Sequence, residues 1–435
     1  MRPMPPVARI VALPPQPLEL GRRVAHRPGS VVLGPAFGNG ACFVACDPVE
    51  SRGDLDPEPT LGLDRDAGPL GRVPRWVGLL PYESRRGLER GAWTRSPETR
   101  PEPWLVAPKW YRYPAVARIT DRVLVVGDDL ASVRHLTGLL RQPGRACPVR
   151  GALSEKEPGS AHRARIVAAL ELIRAGDIYQ VNLARRFELS IEGRGIDLLG
   201  ALSPALRSGY EASLALGDVE IVSTSPECFL GLKPDGRVWT SPIKGTRPRG
   251  ADAAQDGRLA RALEDDPKER AELAMVLDVE RNDLGRVAST GTVRVLGSPW
   301  VRMLPTVHHR LATVGARLLP GLARSDLLAH MLPSGSVTGA PKVRAMEVIA
   351  QLEAYRRGLY TGAFGVLFRD GGLELAMAIR TLELRGGRGR YFAGGGIVAD
   401  SDPDREVEET YWKARQLSAV LGGDLQKLVR NRTDK

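Results

Sequence analysis

The sequence predicts an α+β fold with antiparallel sheets, and three observations lead to this prediction. Helical and strand-like patterns alternate along the chain without the regular strand–helix–strand repeat of a parallel sheet. Two apolar runs, 361–368 and 373–384, are joined by Asp370-Gly371-Gly372, which is typical of a β-hairpin. Charged segments with apolar residues at helical spacing separate the strand-like runs elsewhere.

The first part of the chain has fewer regular patterns than the second. Segment 47–71 is dense in Asp, Gly, Pro and Glu and predicts a long loop. Segment 148–162 is again polar and contains Gly and Pro, so we place a domain boundary there. This boundary predicts an N-terminal region, residues 1–150, and a second domain, residues 151–435.

Regular elements follow this boundary. Ile166 and Leu170 stand at helical spacing, and Gly176 is a typical end for that helix. Short β-rich runs follow at 220–223 and 237–241. Both runs are short enough to be strands of an antiparallel sheet.

Further helices are predicted in the second half. A charged helical pattern covers 259–287, and Pro267 splits it into two helices because proline interrupts helical hydrogen bonding. Pro341 can open another helix. That helix would carry Val343, Met346, Ile349 and Ala350 on one face. The last helix is expected at 404–421.

The formal net charge of +11 over 435 residues invites a nucleic-acid-binding hypothesis. Only nine of the 62 basic residues are lysine, and the arginines are spread along the chain beside acidic residues. A nucleic-acid-binding protein more often has a basic stripe with exposed aromatic residues. We therefore expect no nucleic-acid partner and keep this class as the non-enzyme alternative.

Targeting signals and disulfides are not indicated. No apolar run approaches the length of a membrane span, and prolines interrupt residues 1–17. We therefore expect a cytoplasmic protein without a membrane partner. The four cysteines are too few and too scattered for a disulfide framework, so we predict free thiols at Cys42, Cys46, Cys147 and Cys228.

Two pairs of glutamates have helical spacing. Glu269 and Glu272 share one helix face, and Glu406 and Glu409 repeat the spacing, with Lys413 one turn further along. Brought together, the pairs could bind Mg²⁺ through hard oxygen ligands. The alternative is two exposed helix faces without a ligand, because charge at this spacing is common on surfaces.

Three further segments are candidates for a binding site. The glycine-containing loop 335–342 could bind an anion or could simply cap a helix. Glycines 394–396 could let the backbone approach a ligand, although a flexible turn is the more common reason for such a run. Lys244 lies between an apolar residue and a glycine, where burial could supply the neutral amine that a nucleophile needs, although most lysines are exposed.

Several ordered motifs resemble the chorismate-binding enzymes, a family that includes anthranilate synthase component I, aminodeoxychorismate synthase component I and the isochorismate synthases. The resemblance covers at least residues 163–421. It rests on Gly176-Asp177-Ile178-Tyr179-Gln180-Val181-Asn182-Leu183, Ser225-Pro226-Glu227, Pro242-Ile243-Lys244-Gly245-Thr246, Arg281-Asn282-Asp283-Leu284-Gly285-Arg286, residues 335–342, Ile379-Arg380-Thr381 and residues 394–401.

The resemblance implies a fold and a metal site. The sheets would pack as a sandwich with helices on the outside. Glu272 and Glu409 would bind one Mg²⁺ directly, with Glu269 and Glu406 assisting. The metal would anchor the ring carboxylate of chorismate.

The resemblance also implies the residues that bind the substrate. Lys413 and the amide of Gly396 would help to hold the ring carboxylate. Arg380 and Tyr360 would hold the enolpyruvyl carboxylate. His309 would lie against the ring. Ser336 and Gly394 would line the same site.

The block around Lys244 distinguishes members of the family. Anthranilate synthases typically carry alanine in this block, whereas aminodeoxychorismate synthases carry Pro-Ile-Lys-Gly-Thr, as here. The implied mechanism has Lys244 attack C2 of chorismate while Glu227, as general acid, protonates the departing C4 hydroxyl. Ammonia then adds at C4 and expels the lysine, which gives 4-amino-4-deoxychorismate.

A partner protein is implied as well. None of the four cysteines stands in the Gly-x-Cys-x-Gly turn of a glutaminase. The resemblance therefore implies a separate glutamine amidotransferase subunit that supplies ammonia, with the product leading to 4-aminobenzoate for folate synthesis. The alternatives are an anthranilate synthase component I, another chorismate aminase or an isochorismate synthase.

Overall fold

The computed structural model describes residues 6–64, 68–85, 103–206, 209–304 and 307–422. The first strands in the chain are β1 (Val7–Val11), β2 (Val31–Gly38), β3 (Ala41–Ala45), β4 (Glu50–Arg52), β5 (Pro74–Leu80), β6 (Lys109–Arg112), β7 (Ala115–Ile119), β8 (Val123–Gly127), β9 (Arg150–Glu155), β10 (Gln180–Glu192), β11 (Tyr210–Leu216) and β12 (Val219–Ser225). The later strands are β13 (Cys228–Leu232), β14 (Arg237–Ser241), β15 (Ile243–Pro248), β16 (Arg294–Val295), β17 (Trp300–Met303), β18 (Val307–Leu311), β19 (Val314–Arg317), β20 (Gly339–Ala340), β21 (Ala363–Phe368), β22 (Leu373–Met377), β23 (Thr381–Arg385) and β24 (Arg388–Ile397).

Helices stand between and after these strands. They are α1 (Pro17–Val24), α2 (Gly68–Gly71), α3 (Leu130–Leu140), α4 (Gly159–Arg174), α5 (Gly195–Leu202), α6 (Ala253–Asp265), α7 (Pro267–Gly285), α8 (Arg324–Met331), α9 (Lys342–Leu352) and α10 (Pro403–Val420). Short 3₁₀ helices occur at Tyr82–Arg85 and Gly335–Val337.

The strands of the described residues form three sheets. The first has twelve strands in the order β1-β8-β7-β3-β2-β11-β12-β23-β24-β10-β20, with β9 also paired to β10. The second has nine strands in the order β16-β19-β14-β13-β22-β21-β5-β6-β4, and a small third sheet has the order β15-β18-β17. Neighbouring strands run antiparallel.

The two large sheets pack face to face. Their shared apolar layer joins Leu33 and Phe43 of the first sheet to Val77 and Phe364 of the second. The outer face of the first sheet packs against α1, α3, α5 and α10, and that of the second against α7 and α8. The predicted α+β sandwich of antiparallel sheets with helices on the outside is confirmed.

Strands from before and after residue 150 lie in both large sheets. In the first sheet β2 pairs with β11, and in the second β5 pairs with β21. The predicted boundary segment itself contains β9, which pairs with β10. The division of the chain into 1–150 and 151–435 stays a prediction. Each of the two large sheets combines strands from both parts.

The predicted hairpin is confirmed only in its first half. Strands β21 and β22 form it, with the turn at residues 369–372. The run 373–384, however, is not one strand. It breaks at residues 378–380, where Arg380 has φ +49°, and β23 continues in the other sheet. The break lets the chain change sheets, which a continuous strand could not do.

Most helix predictions agree with the structure. Helix α4 ends before Gly176, which has φ +80°. Asp266 and Pro267 separate α6 from α7, and the Asp266 side chain accepts a hydrogen bond from the Lys268 amide at 3.0 Å. On α9, three of the four apolar residues predicted to share a face are buried, whereas Val343, in the first turn, is 42% exposed.

Some local predictions need correction. Segment 47–71 is not entirely loop, because it contains β4 and α2; residues 65–67 lie outside the described part. Glycines 394–396 do not form a turn but lie within β24, paired to β10. The four cysteines are free, as predicted. In the described part of the chain, none of the helices combines the length and hydrophobicity needed to cross a bilayer.

A buried ion cluster joins segments that are far apart in the chain. Arg357 is 1% exposed, and its guanidinium donates to both carboxylate oxygens of Glu353 at 3.0 and 2.7 Å. It also donates to the carbonyls of Asn182 on β10 and Val337. Because a buried charge that lacks its partner is costly, this cluster holds β10, α9 and the loop before β20 in one arrangement.

Candidate active site

The candidate site lies where the chain crosses between the two large sheets. One crossing connects β12 to β13 and contains Glu227, and the other connects β22 to β23 and contains Arg380. The crossings are joined because Ser225 Oγ donates to the Met377 carbonyl at 2.7 Å. The amide of Met377 in turn donates to the Glu227 carbonyl at 3.1 Å.

Lys244 approaches this point from the third sheet. It lies on β15, which pairs with β18 and packs against α7. Its side chain is partly buried, and burial lowers the pKa of the amine below its usual value of 10.5. The negative charges of Glu272 and Glu227 oppose that shift and lie within electrostatic range of the amine.

Glu227 is almost completely buried beside this amine. It is 4% exposed and accepts a hydrogen bond from Ser336 Oγ at 3.0 Å. Burial raises the pKa of its carboxyl to about 7, although the hydrogen bond from Ser336 and the charge of Lys244 both act against the shift.

The two shifts favour the uncharged form of each group. Burial disfavours charge on both the amine and the carboxyl, and the two groups lie within electrostatic range of each other. A neutral amine can attack carbon, and a protonated carboxyl can donate to a departing oxygen. This pair is the chemical centre of the candidate site.

The glycine strand forms another wall. A Cβ added at Gly396 would lie 3.1 Å from Lys244 Nζ and 3.2 Å from Gln180 Nε2, so a larger residue would crowd both groups. At Gly395 an added Cβ would lie 3.0 Å from Glu406 Oε2. Gly394 contributes its carbonyl, which accepts a hydrogen bond from Lys413 Nζ at 2.6 Å.

The four glutamates predicted to share a metal ion face the same region from two helices. On α7, Glu269 accepts from Arg247 at 3.3 Å, and Glu272 lies 3.8 Å from Lys268. On α10, Glu406 accepts from Ser401 Oγ at 2.8 Å, and Glu409 pairs with Lys413 at 2.6 Å. Lys268 on α7 influences the pKa of both Glu406 and Glu409, so these carboxylates of α10 lie within electrostatic range of α7.

The oxygen atoms of these four carboxylates are chemically suited to bind a hard divalent cation. Among the described residues no three His, Cys, Asp or Glu side chains are close enough to form a ready metal centre. Glu272 and Glu409 nevertheless repel each other electrostatically, and burial raises the pKa of Glu272 and Glu406. A cation among these carboxylates would offset that repulsion, and carboxylate oxygens are the ligands that Mg²⁺ prefers.

His309 and Arg380 contact each other in the same region. His309 is 2% exposed, and burial followed by the charge of Arg380 lowers the pKa of its imidazole to about 3. Arg380 Nη2 lies 3.3 Å from His309 Nε2, and Nδ1 lies 2.9 Å from Thr246 Oγ1. Because a guanidinium can only donate, Nε2 is the acceptor and Nδ1 carries the proton.

Tyr360 lies in a small aromatic cluster. Its ring stacks on Phe392 with centroids 5.2 Å apart, and the side chain is 6% exposed. Ile379, the neighbour of Arg380, packs against the same cluster. Tyr360 is therefore held rigidly close to the crossing that contains Arg380.

Two of the matching motifs are joined by an ion pair. Lys342 Nζ, at the end of the glycine-containing loop, donates to Asp283 Oδ2 on α7 at 2.8 Å. At least one amide of the loop is not free to bind an anion, because the amide of Ser336 donates to Glu280 at 3.1 Å. The loop is thus a buried part of the site rather than an exposed cap.

Glu280 and Ser334 also belong to this site and were not predicted from the sequence. Glu280 is 0% exposed and accepts hydrogen bonds from the Ser334 hydroxyl and the Ser336 amide. A signal was available, since Glu280 stands at helical spacing after Leu277 and before Leu284, which are both buried. An acidic residue in the apolar stripe of a helix indicates a buried polar partner.

Comparisons with known proteins identify the family of the chain. A family model described as chorismate binding enzyme matches residues 48–419. Anthranilate synthase component 1 from Thermus thermophilus is 42% identical over 327 residues, and the match covers 70% of each chain. Aminodeoxychorismate synthase component 1 from Klebsiella aerogenes is 43% identical over 268 residues, covering 62% of this chain and 58% of that protein.

Solved structures show the same fold. Anthranilate synthase component I from Streptococcus pneumoniae TIGR4 aligns with a TM-score of 0.73 and 28% identity, covering 95% of this chain and 92% of that one. The menaquinone-specific isochorismate synthase from Escherichia coli aligns with a TM-score of 0.75 at 20% identity, covering 96% and 95%, and at that identity supports the fold alone. Because the family model covers most of its length, the chain belongs to the chorismate binding enzymes.

Proposed function

We propose that this chain is the aminating component of an aminodeoxychorismate synthase, which converts chorismate and ammonia to 4-amino-4-deoxychorismate. The observation that carries the proposal is the pairing of the Lys244 amine, whose pKa burial lowers, with the buried Glu227 carboxyl. Relatives of similar identity are named both anthranilate synthase component 1 and aminodeoxychorismate synthase component 1. The lysine in Pro-Ile-Lys-Gly-Thr favours the second.

The proposed reaction has two displacement steps. In the first, the neutral amine of Lys244 attacks C2 of chorismate, the double bond shifts, and the C4 hydroxyl leaves as water after protonation by Glu227. In the second, ammonia adds at C4 and the lysine leaves C2 as a neutral amine. Glu227, now a carboxylate, removes one proton from the new C4 ammonium group, which restores the starting protonation state.

The neighbouring groups would orient the substrate. Arg380 lies in the crossing between β22 and β23 and can bind a carboxylate through two donors, and its neighbour Ile379 packs against the cluster of Tyr360. His309 is neutral because burial and Arg380 lower the pKa of its imidazole to about 3, so it can lie against the ring without adding charge. Lys413, Gly394, Gly396 and Ser336 line the same space.

A bound Mg²⁺ would neutralise and orient the ring carboxylate of chorismate. Glu272 and Glu409 are proposed as its direct ligands, and Glu269 and Glu406 as supporting residues. Ammonia would come from a separate glutamine amidotransferase subunit, and the product would lead to 4-aminobenzoate for folate synthesis.

The metal proposal predicts a change in Mg²⁺ dependence. Glu272→Gln should raise the Mg²⁺ concentration for half-maximal activity by at least about tenfold, since an amide is a weaker ligand than a carboxylate. Activity measured across a Mg²⁺ titration checks this. Glu408→Gln is the matched control, because Glu408 is exposed on α10 next to the proposed ligand Glu409. An unchanged titration curve in Glu272→Gln would remove it from the ligand set.

Product identification tests the proposed function directly. Purified protein is incubated with chorismate, Mg²⁺ and an ammonium salt, and the products are followed by mass and fluorescence. We expect a product with the mass of 4-amino-4-deoxychorismate that retains its enolpyruvyl group. A fluorescent product formed with release of pyruvate would instead identify an anthranilate synthase.

A further inference from the structure

A continuous hydrogen-bonded chain connects Glu227 to a second buried carboxyl. Glu280 Oε1 contacts the hydroxyl of Ser334, and Ser334 Oγ lies 3.0 Å from Ser336 Oγ. Ser336 Oγ in turn lies 3.0 Å from Glu227 Oε1. Two carboxyls are therefore joined through two hydroxyls without an intervening gap.

The chain is shielded from solvent along its whole length. Glu280, Ser334, Ser336 and Glu227 are 0%, 1%, 5% and 4% exposed. The second oxygen of Glu280, Oε2, has no hydrogen-bond partner among the described residues. Glu227 is therefore largely shielded from bulk water, which limits the resupply of its proton from solvent during a reaction.

The charged surroundings of Glu280 favour its protonated form. Burial raises the pKa of its carboxyl to about 7, and Asp283 on the same helix adds to the shift. Lys342 of α9 opposes the shift but is itself paired with Asp283 at 2.8 Å. At the Glu227 end of the hydrogen-bonded chain, the negative charge of Glu280 raises the pKa of Glu227, whereas the positive charge of Lys244 lowers the pKa of Glu227.

From this geometry we infer that Glu280 is a proton-relay residue, which exchanges a proton with Glu227 through the hydroxyls of Ser334 and Ser336. The proposal rests on the proposed function in one respect: Glu227 must act as the acid toward the C4 hydroxyl. Glu280 touches neither substrate nor metal in this scheme, so it is a positioning residue for the proton rather than a catalytic residue.

The proton transfers balance in both directions. The relay requires the protonated form of Glu280, which donates from Oε1 to Ser334 Oγ and so reverses the hydrogen bond that the ionised carboxylate accepts there. When Glu227 is a carboxylate, Ser336 Oγ gives it a proton, Ser334 Oγ gives one to Ser336, and the Glu280 carboxyl gives one to Ser334. One proton has then moved from Glu280 to Glu227, and both hydroxyls are restored. Before Glu227 acts as the base, the same steps run in reverse, which protonates Glu280 and leaves Glu227 as a carboxylate. Glu227 then takes a proton from the C4 ammonium group, and both carboxyls are protonated again.

The test compares Glu280→Gln with the wild-type enzyme. We expect kcat to fall about tenfold, less than removal of the acid itself, because the amide cannot pass a proton along the chain. The alkaline limb of the kcat profile should also move to lower pH, since Glu227 loses the neighbouring charge that raises its pKa. The KM for chorismate should stay unchanged. A purely structural defect would lower kcat at every pH without moving this limb.

Ser334 provides an independent test that keeps Glu280 in place. Ser334→Ala interrupts the chain and should also lower kcat about tenfold, whereas Ser334→Thr keeps a hydroxyl and should restore most of the activity. Thermal unfolding of all variants reports whether they fold. If Glu280→Gln and Ser334→Ala both keep kcat within twofold of the wild type, the relay is overturned; if Glu280→Gln does not fold, the serine pair decides alone.

The relay and the proposed function fail in different ways. Wild-type product is identified first. If the enzyme forms anthranilate, the proposed function is wrong, but the C4 hydroxyl still has to leave with a proton. The same variants then test the relay with anthranilate formation as the assay.

Discussion

Replacement of Lys244 by alanine should lower ammonia-dependent amination of chorismate by about 10³-fold or more, because the attacking amine is removed. The amine lies within electrostatic range of Glu227, Glu272 and Glu409, and burial lowers its pKa. It is therefore available in its neutral form at lower pH than an exposed lysine would be. Chorismate should still bind, since the groups proposed to hold its carboxylates remain.

The measurement is the initial rate of product formation at saturating chorismate and Mg²⁺, together with chorismate binding followed by calorimetry. Lys156→Ala is the matched control, because Lys156 lies at the surface, pairs with Glu188 and is 44% exposed in its side chain. Near wild-type turnover in Lys244→Ala would refute the nucleophile assignment. Loss of both turnover and binding would mean that the lysine holds the substrate instead.

Replacement of Glu227 by glutamine should lower kcat by about 10² to 10⁴-fold, the range expected when a general acid is removed. Glutamine keeps the size of the side chain and can still accept the hydrogen bond that Ser336 Oγ donates at 3.0 Å. It cannot donate a proton to the departing hydroxyl. The defect should therefore appear in kcat rather than in the KM for chorismate.

The prediction for Glu227 also includes the pH dependence of kcat. The acid must be protonated, and burial raises the pKa of Glu227 to about 7, so wild-type kcat should fall as the pH rises through about 7. Lys244 must be neutral, so activity should fall at lower pH as the amine gains a proton. The result is a bell-shaped profile, and Glu227→Gln should lose its alkaline limb.

Glu374 offers a matched control for this substitution. It is also buried, its pKa is also raised by burial to about 7, and it accepts a hydrogen bond from Tyr210 at 2.6 Å. Glu374→Gln should leave the alkaline limb in place. If Glu227→Gln keeps both its rate and its alkaline limb, the acid lies elsewhere.

Local patterns were sufficient for much of the secondary structure. The division at Pro267, the last helix and the hairpin of β21 and β22 follow from proline, helical spacing and turn residues, because these act over a few residues. The family could also be recognised from the sequence, since its motifs are short, ordered and locally readable.

The sequence was misleading where a segment has two possible environments. Residues 373–384 are apolar throughout, and nothing in their composition shows that the chain changes sheets at Arg380. Glycines 394–396 suit a turn as well as a strand, and their place in β24 depends on pairing with β10. Both outcomes are decided by distant partners, which local propensity does not include.

The meeting of Lys244 with Glu227 required the folded chain. One residue lies on the small third sheet and the other at a crossing between the two large sheets, so their distance depends on how all three sheets pack. The residues that we propose as reactive were readable from the motifs. Their shifted pKa values and the serine chain to Glu280 were not, because burial arises only when distant segments exclude water together.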